Sequence, residues 1–170
     1  LALGYIAEHL QANGIEHDVL DLNLGYSFED LVRKIQEFRP QILGIAMKSY
    51  RYKDSYSLMQ KIKEKFPTIP IVVGGAHIST EKERVLRECQ AIDFGVVKEG
   101  EDTFLELCKG IQPAKIKGLI FRESKKILFT GERQFRRDIN SLPWPRYEKF
   151  ELKRYWYPGM CVLSSRGCPE

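Results

Sequence analysis

Apolar residues recur along this chain at two different spacings. In five segments they stand three or four positions apart, which predicts amphipathic helices: residues 2–13, 28–38, 55–66, a segment capped by Thr80, and 102–110. Between them lie four short runs rich in apolar residues, which predict strands at 17–22, 42–47, 71–73 and 94–97. Strands that alternate with helices form a parallel sheet with helices on both faces. The pattern therefore predicts an α/β fold built on a doubly wound parallel sheet.

Residue types at the segment ends support these boundaries. Gly14 follows the first helix as a left-handed cap, and Ser27 can cap the second. Thr80 and Glu83 have the spacing of a capping box, which predicts that a fourth helix begins there. Residues 42–47 are almost continuously apolar, as is typical of a strand that is covered on both faces.

The chain begins within a helical pattern at Leu1. A doubly wound domain opens with a strand, and in flavodoxin-like order that strand lies in the middle of the sheet. Without it, neighbouring strands would leave backbone groups unpaired in the core. We therefore expect the natural protein to have a further strand before Leu1.

The pattern changes after Gly110. Residues 118–122 and 126–130 predict a β-hairpin. Two prolines on either side of Trp144 impose an extended path, and residues 160–164 predict a strand. We expect three parts: an α/β domain at 1–112, a hairpin and interdomain linker at 113–159, and the start of a second domain at 160–170.

Charge is distributed unevenly along the 170 residues. Residues 1–110 contain 14 Lys and Arg against 17 Asp and Glu, whereas residues 111–170 contain 13 against 6. A basic tail can follow nucleic acid, but charge runs usually lie on solvated surfaces. We favour a linker that docks on an acidic partner domain, and we expect no nucleic-acid partner. Salt-dependent RNA binding that vanishes when Arg133, Arg136 and Arg137 are neutralised would reverse this choice.

No apolar run approaches the roughly 20 residues that a membrane span needs, and no signal peptide is visible. We therefore expect a cytoplasmic protein without a membrane partner. Four cysteines without close spacing fit a reducing compartment. Cys89 and Cys108 lie near predicted helix ends, and we interpret both as packing residues.

Candidate chemistry lies at the carboxyl ends of the predicted strands, where open α/β sheets bind ligands. Four loops follow those ends: Asp21–Tyr26, Met47–Lys53, Gly74–Thr80 and Lys98–Asp102. Gly74 and Gly75 allow either a close approach of the backbone to a ligand or a turn with positive φ. Ser49 offers a hydroxyl after the neighbouring strand. Glu99, Gly100 and Glu101 open a helix whose amides can hold an anion.

Three segments together resemble the cobalamin-binding domain of radical SAM enzymes. They are Gly4-Tyr5-Ile6-Ala7, Val72-Val73-Gly74-Gly75-Ala76-His77 and Val97-Lys98-Glu99-Gly100-Glu101. The resemblance covers most of residues 1–110 and implies a five-stranded, Rossmann-like domain of flavodoxin type. It implies that the nucleotide tail of cobalamin contacts Ser49, Gly74 and Gly75. It also implies that Ala76, His77, Glu99, Gly100 and Glu101 line the same pocket.

The resemblance leaves the cobalt ligand open. Cobalamin proteins that supply a histidine do so from a D-x-H-x-x-G loop after the first strand, which here would precede Leu1. His77 lies in a different loop, and we interpret it as a polar loop residue rather than a cobalt ligand.

A second resemblance lies at the C-terminus. Ser164-Ser165-Arg166-Gly167-Cys168-Pro169 is similar to the beginning of the radical SAM motif C-x-x-x-C-x-x-C, whose three thiolates hold a 4Fe-4S cluster with one iron open for S-adenosylmethionine. Only the first of those cysteines, Cys168, is present, and Cys161 is too far upstream to replace another. The resemblance implies a radical SAM barrel as the C-terminal partner within the same chain.

The combined prediction is an N-terminal cobalamin-binding module of a radical SAM methyltransferase or oxidative cyclase. These residues are expected to bind cobalamin without being catalytic themselves. The main alternative is a degenerate domain that keeps the fold and acts as a structural or substrate-clamping arm without cofactor. A flavin- or nucleotide-binding protein is disfavoured, since the sequence contains neither G-x-G-x-x-G nor a P-loop.

Overall fold

The computed structural model describes residues 2–156, 159, 161 and 162. They belong to two compact units. The terminal unit combines Leu1–Arg39 with Phe135–Glu170, and the sheet unit consists of Pro40–Gln134. The terminal unit contains helices α1 (Ala2–Ala12) and α2 (Phe28–Phe38). The sheet unit contains β1 (Leu43–Ala46), α3 (Tyr52–Lys65), β2 (Ile71–Gly74), α4 (Ala76–Glu81), α5 (Glu83–Glu88), β3 (Phe94–Val96), α6 (Glu101–Cys108), β4 (Leu119–Glu123) and β5 (Lys126–Phe129).

The five strands form one sheet in the order β1-β2-β3-β4-β5. β1, β2 and β3 are parallel, which confirms the predicted α/β fold. The predicted hairpin is also confirmed, and it continues the same sheet because β4 pairs antiparallel with β3 and β5 with β4. In this register Val96 lies opposite Leu119 and Phe94 opposite Phe121. β4 therefore starts at the carboxyl edge of the parallel strands, and β5 returns to that edge.

The core of the sheet unit lies between the sheet and its helices. A buried cluster joins residues from β2, β3, α6 and β4 with the loop before β4: Val72, Val96, Leu107, Ile116, Leu119 and Phe121. Arg122 adds a polar connection, because its guanidinium donates to the carbonyl oxygens of Leu86, Cys89 and Ile92. These contacts attach the hairpin to the rest of the sheet unit.

Two strand predictions differ from the structure. Residues 17–22 form no strand, because an extended segment becomes a strand only when a neighbour pairs with its backbone, and no described strand does so. β1 was predicted to be covered on both faces, but Gly44 and Ala46 are exposed on one of them. β1 is also the edge strand of the described sheet, so only one of its two hydrogen-bonding sides has a described strand beside it.

The predicted capping box at Thr80 is wrong. α4 begins at Ala76, directly after Gly75, so Thr80 lies inside this helix and its hydroxyl donates to the Ala76 carbonyl oxygen at 3.0 Å. The helix ends at Glu81, and the φ of 48° and ψ of −126° at Lys82 interrupt the helical path before α5. By contrast, the predicted cap at Ser27 is confirmed, with Asp30 completing a capping box.

The terminal unit is held by side chains from both ends of the sequence. The Tyr147 ring packs over Gly4 on α1, where a Cβ would come within 2.5 Å of the Tyr147 ring. Lys149 donates to the His17 carbonyl oxygen at 2.7 Å, and Arg154 donates to that of Leu24 at 2.8 Å. That the basic tail docks as a linker on an acidic partner domain stays a prediction; within the described residues, these two of its cations bind backbone carbonyl oxygens of their own unit. No helix among the described residues is long and apolar enough to cross a membrane.

Candidate ligand-binding edge of the sheet

Three of the four candidate loops lie at one edge of the sheet unit. β1, β2 and β3 run parallel and in register, so the loops that follow them, Met47–Lys53, Gly74–Thr80 and Lys98–Asp102, leave the sheet on the same side. The amide of Met47 donates to the Gly74 carbonyl oxygen at 2.8 Å, which extends the pairing of β1 and β2 to this edge. The fourth loop, Asp21–Tyr26, belongs to the terminal unit.

The two glycines after β2 differ in what they require. Gly75 has a φ of +108°, and a Cβ there would lie 2.6 Å from the Met47 carbonyl oxygen, so the fold itself requires glycine. Gly74 lies outside the left-handed region, and apart from its chain neighbours no atom of the described residues comes within 4 Å of where its Cβ would be. Neither backbone conformation nor internal packing accounts for glycine at position 74. The missing side chain leaves open space at the edge of the sheet.

Small exposed residues follow β1 and β2 at this edge of the sheet. Ser49 begins a short helical turn at Ser49–Arg51 and is exposed. Ala76 is also exposed, at the first position of α4. The loops after β1 and β2 thus present glycine, alanine and serine, which allow a bulky ligand to approach the backbone closely.

His77 is part of an aromatic cluster that the sequence reasoning missed. Its ring stacks on Tyr52, with centroids 4.4 Å apart and planes 20° apart, and only 7% of the residue is exposed. The Tyr56 hydroxyl lies 3.5 Å from His77 Nε2 and donates to Glu88 at 3.3 Å. Burial and the nearby Glu88 carboxylate raise the pKa of Tyr56 above its ordinary value. Tyr52 and Tyr56 stand four positions apart on α3, a spacing that places both on one helix face.

Ser79 connects the loops after β2 and β3. Its hydroxyl donates to the Gly75 carbonyl oxygen at 2.8 Å and accepts a hydrogen bond of 2.8 Å from the amide of Lys98. Lys98 has a positive φ of 63°. The sequence places Ser79 within a candidate loop but indicates no role for it. Its partner Lys98 lies 19 residues away, and no local pattern predicts a contact over that separation.

The loop after β3 leads directly into α6. Gly100 is the residue before the helix, and its carbonyl oxygen accepts from the Phe104 amide at 2.8 Å. Glu99 is half-buried, and Glu101, in the first turn, is only 6% exposed. This turn is held in place by Thr103, whose hydroxyl donates to the Lys117 carbonyl oxygen at 2.8 Å. The three predicted residues of this loop are thus anchored beside the hairpin.

In the terminal unit, the Asp21–Tyr26 loop is engaged by residues from the distant C-terminal segment. Tyr155 donates to Asp21 at 2.7 Å, the Tyr26 hydroxyl donates to Glu151, and the Arg154 guanidinium lies 4.5 Å from the centre of the Tyr26 ring. The Tyr26 hydroxyl and then Arg154 lower the pKa of Glu151 below its ordinary value. The polar groups that suggested a ligand loop therefore have protein partners within this unit.

The described cysteines differ in burial. Cys89 is buried, as predicted for a packing residue, and burial raises the pKa of Cys108 to about 11. Cys161 is exposed. The described residues contain no group of three or more His, Cys, Asp or Glu side chains arranged to hold a metal ion. The predicted cluster ligand Cys168 and most of the strand predicted at 160–164 lie outside the described residues.

Comparison with curated proteins identifies relatives along nearly the whole chain. An uncharacterized methyltransferase of Pyrococcus horikoshii is 32% identical over 179 residues, which covers 99% of this chain and 38% of that protein. The anaerobic magnesium-protoporphyrin IX monomethyl ester cyclase of a Synechocystis species is 28% identical over 169 residues, covering 91% of this chain and 33% of the cyclase. The chain thus spans little more than a third of the length of these proteins.

Solved structures share the fold at lower identity. The cobalamin-dependent S-adenosylmethionine radical enzyme OxsB, solved with aqua-cobalamin and S-adenosylmethionine, matches 85% of this chain with a TM-score of 0.72 and 17% identity, over 21% of the OxsB chain. The radical S-adenosylmethionine methyltransferase TsrM of Kitasatospora setae, solved with cobalamin and a 4Fe-4S cluster, matches 84% with a TM-score of 0.68 and 21% identity, over 28% of its chain. These likenesses show that the predicted flavodoxin-like architecture is correct.

The family assignment comes from the sequence itself. The family model of the B12 binding domain matches residues 1–108, well over half of the chain and the region that contains all three edge loops. The chain therefore belongs to the B12-binding domain family.

Proposed function

We propose that this chain binds cobalamin at the carboxyl edge of β1, β2 and β3. The observation that carries the proposal is Gly74, where a glycine that the fold does not require leaves open space at the edge where exposed Ser49 and Ala76 follow β1 and β2. Glycine at such a position allows a ligand to contact the backbone directly. Membership of the B12-binding domain family identifies the class of ligand.

Each predicted residue has a role in this proposal. Ser49, Gly74 and Gly75 contact the nucleotide tail, with Gly75 holding the turn that exposes Gly74. Ala76 and His77 line the wall formed by α4. Because His77 is stacked on Tyr52 and is almost fully buried, we propose that it supports the pocket rather than binds cobalt.

The loop after β3 completes the proposed pocket with Glu99, Gly100 and Glu101. Bound cobalamin would supply methyl-transfer or redox chemistry to a longer enzyme, while this chain binds the cofactor, orients it and keeps water from it.

We further propose that the chain is the N-terminal module of a radical SAM enzyme of the methyltransferase or oxidative cyclase type. The names of the two curated relatives and the cofactors in the OxsB and TsrM structures support this proposal. Residues 1–112 would form the cobalamin domain and 113–159 the connection, with Cys168 as the first ligand of a 4Fe-4S cluster that binds S-adenosylmethionine. These 170 residues would not be catalytic without the barrel.

The test is retention of hydroxocobalamin by the purified protein after desalting, measured from its visible spectrum. We expect near-stoichiometric retention by the wild type and progressive loss through Gly74→Ala, Gly74→Val and Gly74→Leu as the side chain fills the open space. The unfolding temperature of Gly74→Ala should stay close to that of the wild type, since apart from its chain neighbours no atom of the described residues lies within 4 Å of that Cβ. Measuring the unfolding temperature of each larger variant separates lost binding from lost stability.

A matched control comes from Ser57, which is exposed on α3 away from its buried residues Met59 and Ile62. Ser57→Leu adds a similar side chain and should leave retention unchanged. Loss of all colour from the wild type on desalting would contradict cobalamin binding by this chain and would favour the structural-arm alternative. Retention by Gly74→Leu equal to that of the wild type would contradict the assigned location.

A further inference from the structure

One carboxylate in the sheet unit holds two lysines that have unusual backbone conformations. Glu132 Oε1 lies 3.1 Å from Lys82 Nζ, and Glu132 Oε2 pairs with Lys98 Nζ. Lys82 has a φ of 48° and Lys98 a φ of 63°, a region that is unfavourable for any residue with a Cβ. Conformations of this kind persist only where the surrounding contacts impose them.

Both the backbone and the side chain of Lys98 have bonding partners. Its backbone amide donates to the Ser79 hydroxyl at 2.8 Å, and its ammonium group pairs with Glu132. Ser79 is fixed in turn, because it donates to the Gly75 carbonyl oxygen one helical turn earlier. Three segments that are distant in sequence, α4, the loop after β3 and the end of the hairpin, therefore meet at Lys98.

The sheet register explains how Glu132 reaches this edge. β4 runs antiparallel to β3 and carries the chain away from the carboxyl edge, and β5 brings it back, with Phe129 opposite Ile120. Glu132 follows three residues after Phe129. The next residue, Arg133, donates to Thr103 Oγ1 at 3.0 Å and pairs with Glu106, so the same segment is also attached to α6.

We propose that Ser79, Lys98 and Glu132 form a brace that positions Glu99, Gly100 and Glu101 for the cofactor. This inference rests on the proposed function and adds three positioning residues to it. The left-handed turn at Lys98 sets the direction in which the next three residues leave β3. With the brace intact, the loop is ordered before the ligand arrives, so binding does not have to order it.

The brace is tested by two measurements on the whole chain, with and without hydroxocobalamin. Amide hydrogen exchange of residues 99–101 in the ligand-free protein reports how firmly the loop is held. Titration of the visible spectrum gives the Kd for hydroxocobalamin. The variants are Ser79→Ala, Glu132→Gln and Lys98→Gly.

We expect each variant to exchange faster at 99–101 and to bind hydroxocobalamin about fivefold more weakly, as follows from losing one hydrogen bond that orders the site. Lys98→Gly is the most informative of the three. Glycine adopts positive φ without strain, so the unfolding temperature should not fall, although the loop loses the ion pair with Glu132 and keeps only the amide hydrogen bond to Ser79. Ser79→Thr keeps the hydroxyl and should restore the behaviour of the wild type.

Two control variants come from the hairpin. Ser124 also has a positive φ, of 56°, but lies in the turn at the opposite edge of the sheet, so Ser124→Gly relieves the same kind of strain without touching the brace. Glu123→Gln removes an exposed carboxylate beside that turn. Both should match the wild type in exchange and in Kd.

The outcomes separate the brace from the function on which it rests. A wild type that binds, with Ser79→Ala and Glu132→Gln unchanged in exchange and Kd, would overturn the brace alone. A control variant as impaired as Lys98→Gly would overturn it as well. If the wild type fails to retain cobalamin, the proposed function is overturned. Faster amide exchange at residues 99–101 in the variants would then still show that the brace orders this loop.

Discussion

The two units of this chain are stabilised in different ways. In the sheet unit, β2 is buried along Ile71, Val72 and Val73, and its neighbours on both sides supply backbone hydrogen bonds. In the terminal unit, polar side chains join the connection between α1 and α2 to a segment more than a hundred residues away. Among these contacts are Tyr155 with Asp21 and Lys149 with the His17 carbonyl oxygen.

The terminal unit also buries apolar residues, among them Leu10, Ile35 and Leu142, so the two units differ in the paired strands of the sheet unit and in the polar contacts that join distant segments of the terminal unit. Apolar burial is non-directional and is spread over many atoms, so it stabilises the sheet unit as a whole. Exposed ion pairs and hydrogen bonds contribute little each, and acidity weakens those that depend on carboxylates. We therefore expect substitutions in the sheet unit to cost the most stability.

The largest effect is expected from Ile62→Ala on α3. Ile62 is fully buried, so truncation removes apolar contacts and leaves a cavity, at a cost of about 3 kcal/mol in the free energy of unfolding. Urea unfolding followed by circular dichroism measures this cost. The adjacent exposed Lys61 provides the control, because Lys61→Ala should stay within about 0.5 kcal/mol of the wild type. A loss below about 1 kcal/mol for Ile62→Ala would contradict a tightly packed sheet unit.

A smaller effect is expected from Tyr147→Phe in the terminal unit. The Tyr147 hydroxyl donates to the Cys161 carbonyl oxygen at 2.6 Å, while the ring packs over Gly4. Phenylalanine keeps the ring contact and removes only the hydrogen bond, which should cost about 1 kcal/mol in the same unfolding experiment. Tyr50→Phe, at a residue that is 77% exposed, should have no effect. If Tyr147→Phe cost as much as Ile62→Ala, the contrast between the units would not hold.

The smallest expected effect is on the pKa of Glu151 and on the pH dependence of the stability that this carboxylate contributes. The Tyr26 hydroxyl and Arg154 lower the pKa of Glu151 from its ordinary value of 4.5, so the stabilisation from this carboxylate is present above pH 4.5 and is lost as pH falls through the lowered pKa. Tyr26→Phe removes the largest cause, and the pKa of Glu151 should rise toward 4.5. Carbon-detected NMR titration of the Glu151 carboxyl group measures the shift. An unchanged Glu151 titration in Tyr26→Phe would contradict the contact between the two side chains.

Much of the sheet unit could be predicted because its elements have local signals. Apolar runs located β1, β2 and β3, and the paired segments after Gly110 located the hairpin. In the terminal unit, a local signal of the same kind at Ser27 located the start of α2. The strand ends then indicated the candidate loops, since parallel strands bring their carboxyl ends to one edge. The pair Gly74-Gly75 was recognisable for the same reason, although only the structure separates their roles.

The errors have a common physical origin. The segment 17–22 has a strand-like composition, but it forms no strand because strand formation depends on a partner. Thr80 and Glu83 have capping-box spacing, but the turn at Gly75 starts α4 four residues before Thr80. In both cases a correct local preference was overridden by contacts or turns outside the segment.

The sequence by itself determined the alternation of strands and helices, the hairpin and the glycines at the edge of the sheet. Periodicity and backbone preference act between residues that are close along the chain, so the sequence displays them directly. Only the tertiary structure decided that His77 stacks on Tyr52, that Glu132 returns to the edge to hold Lys98, and that Tyr155 covers Asp21. These contacts join residues that are distant in sequence and that the sheet register and chain reversals bring together. A local sequence pattern cannot predict such contacts.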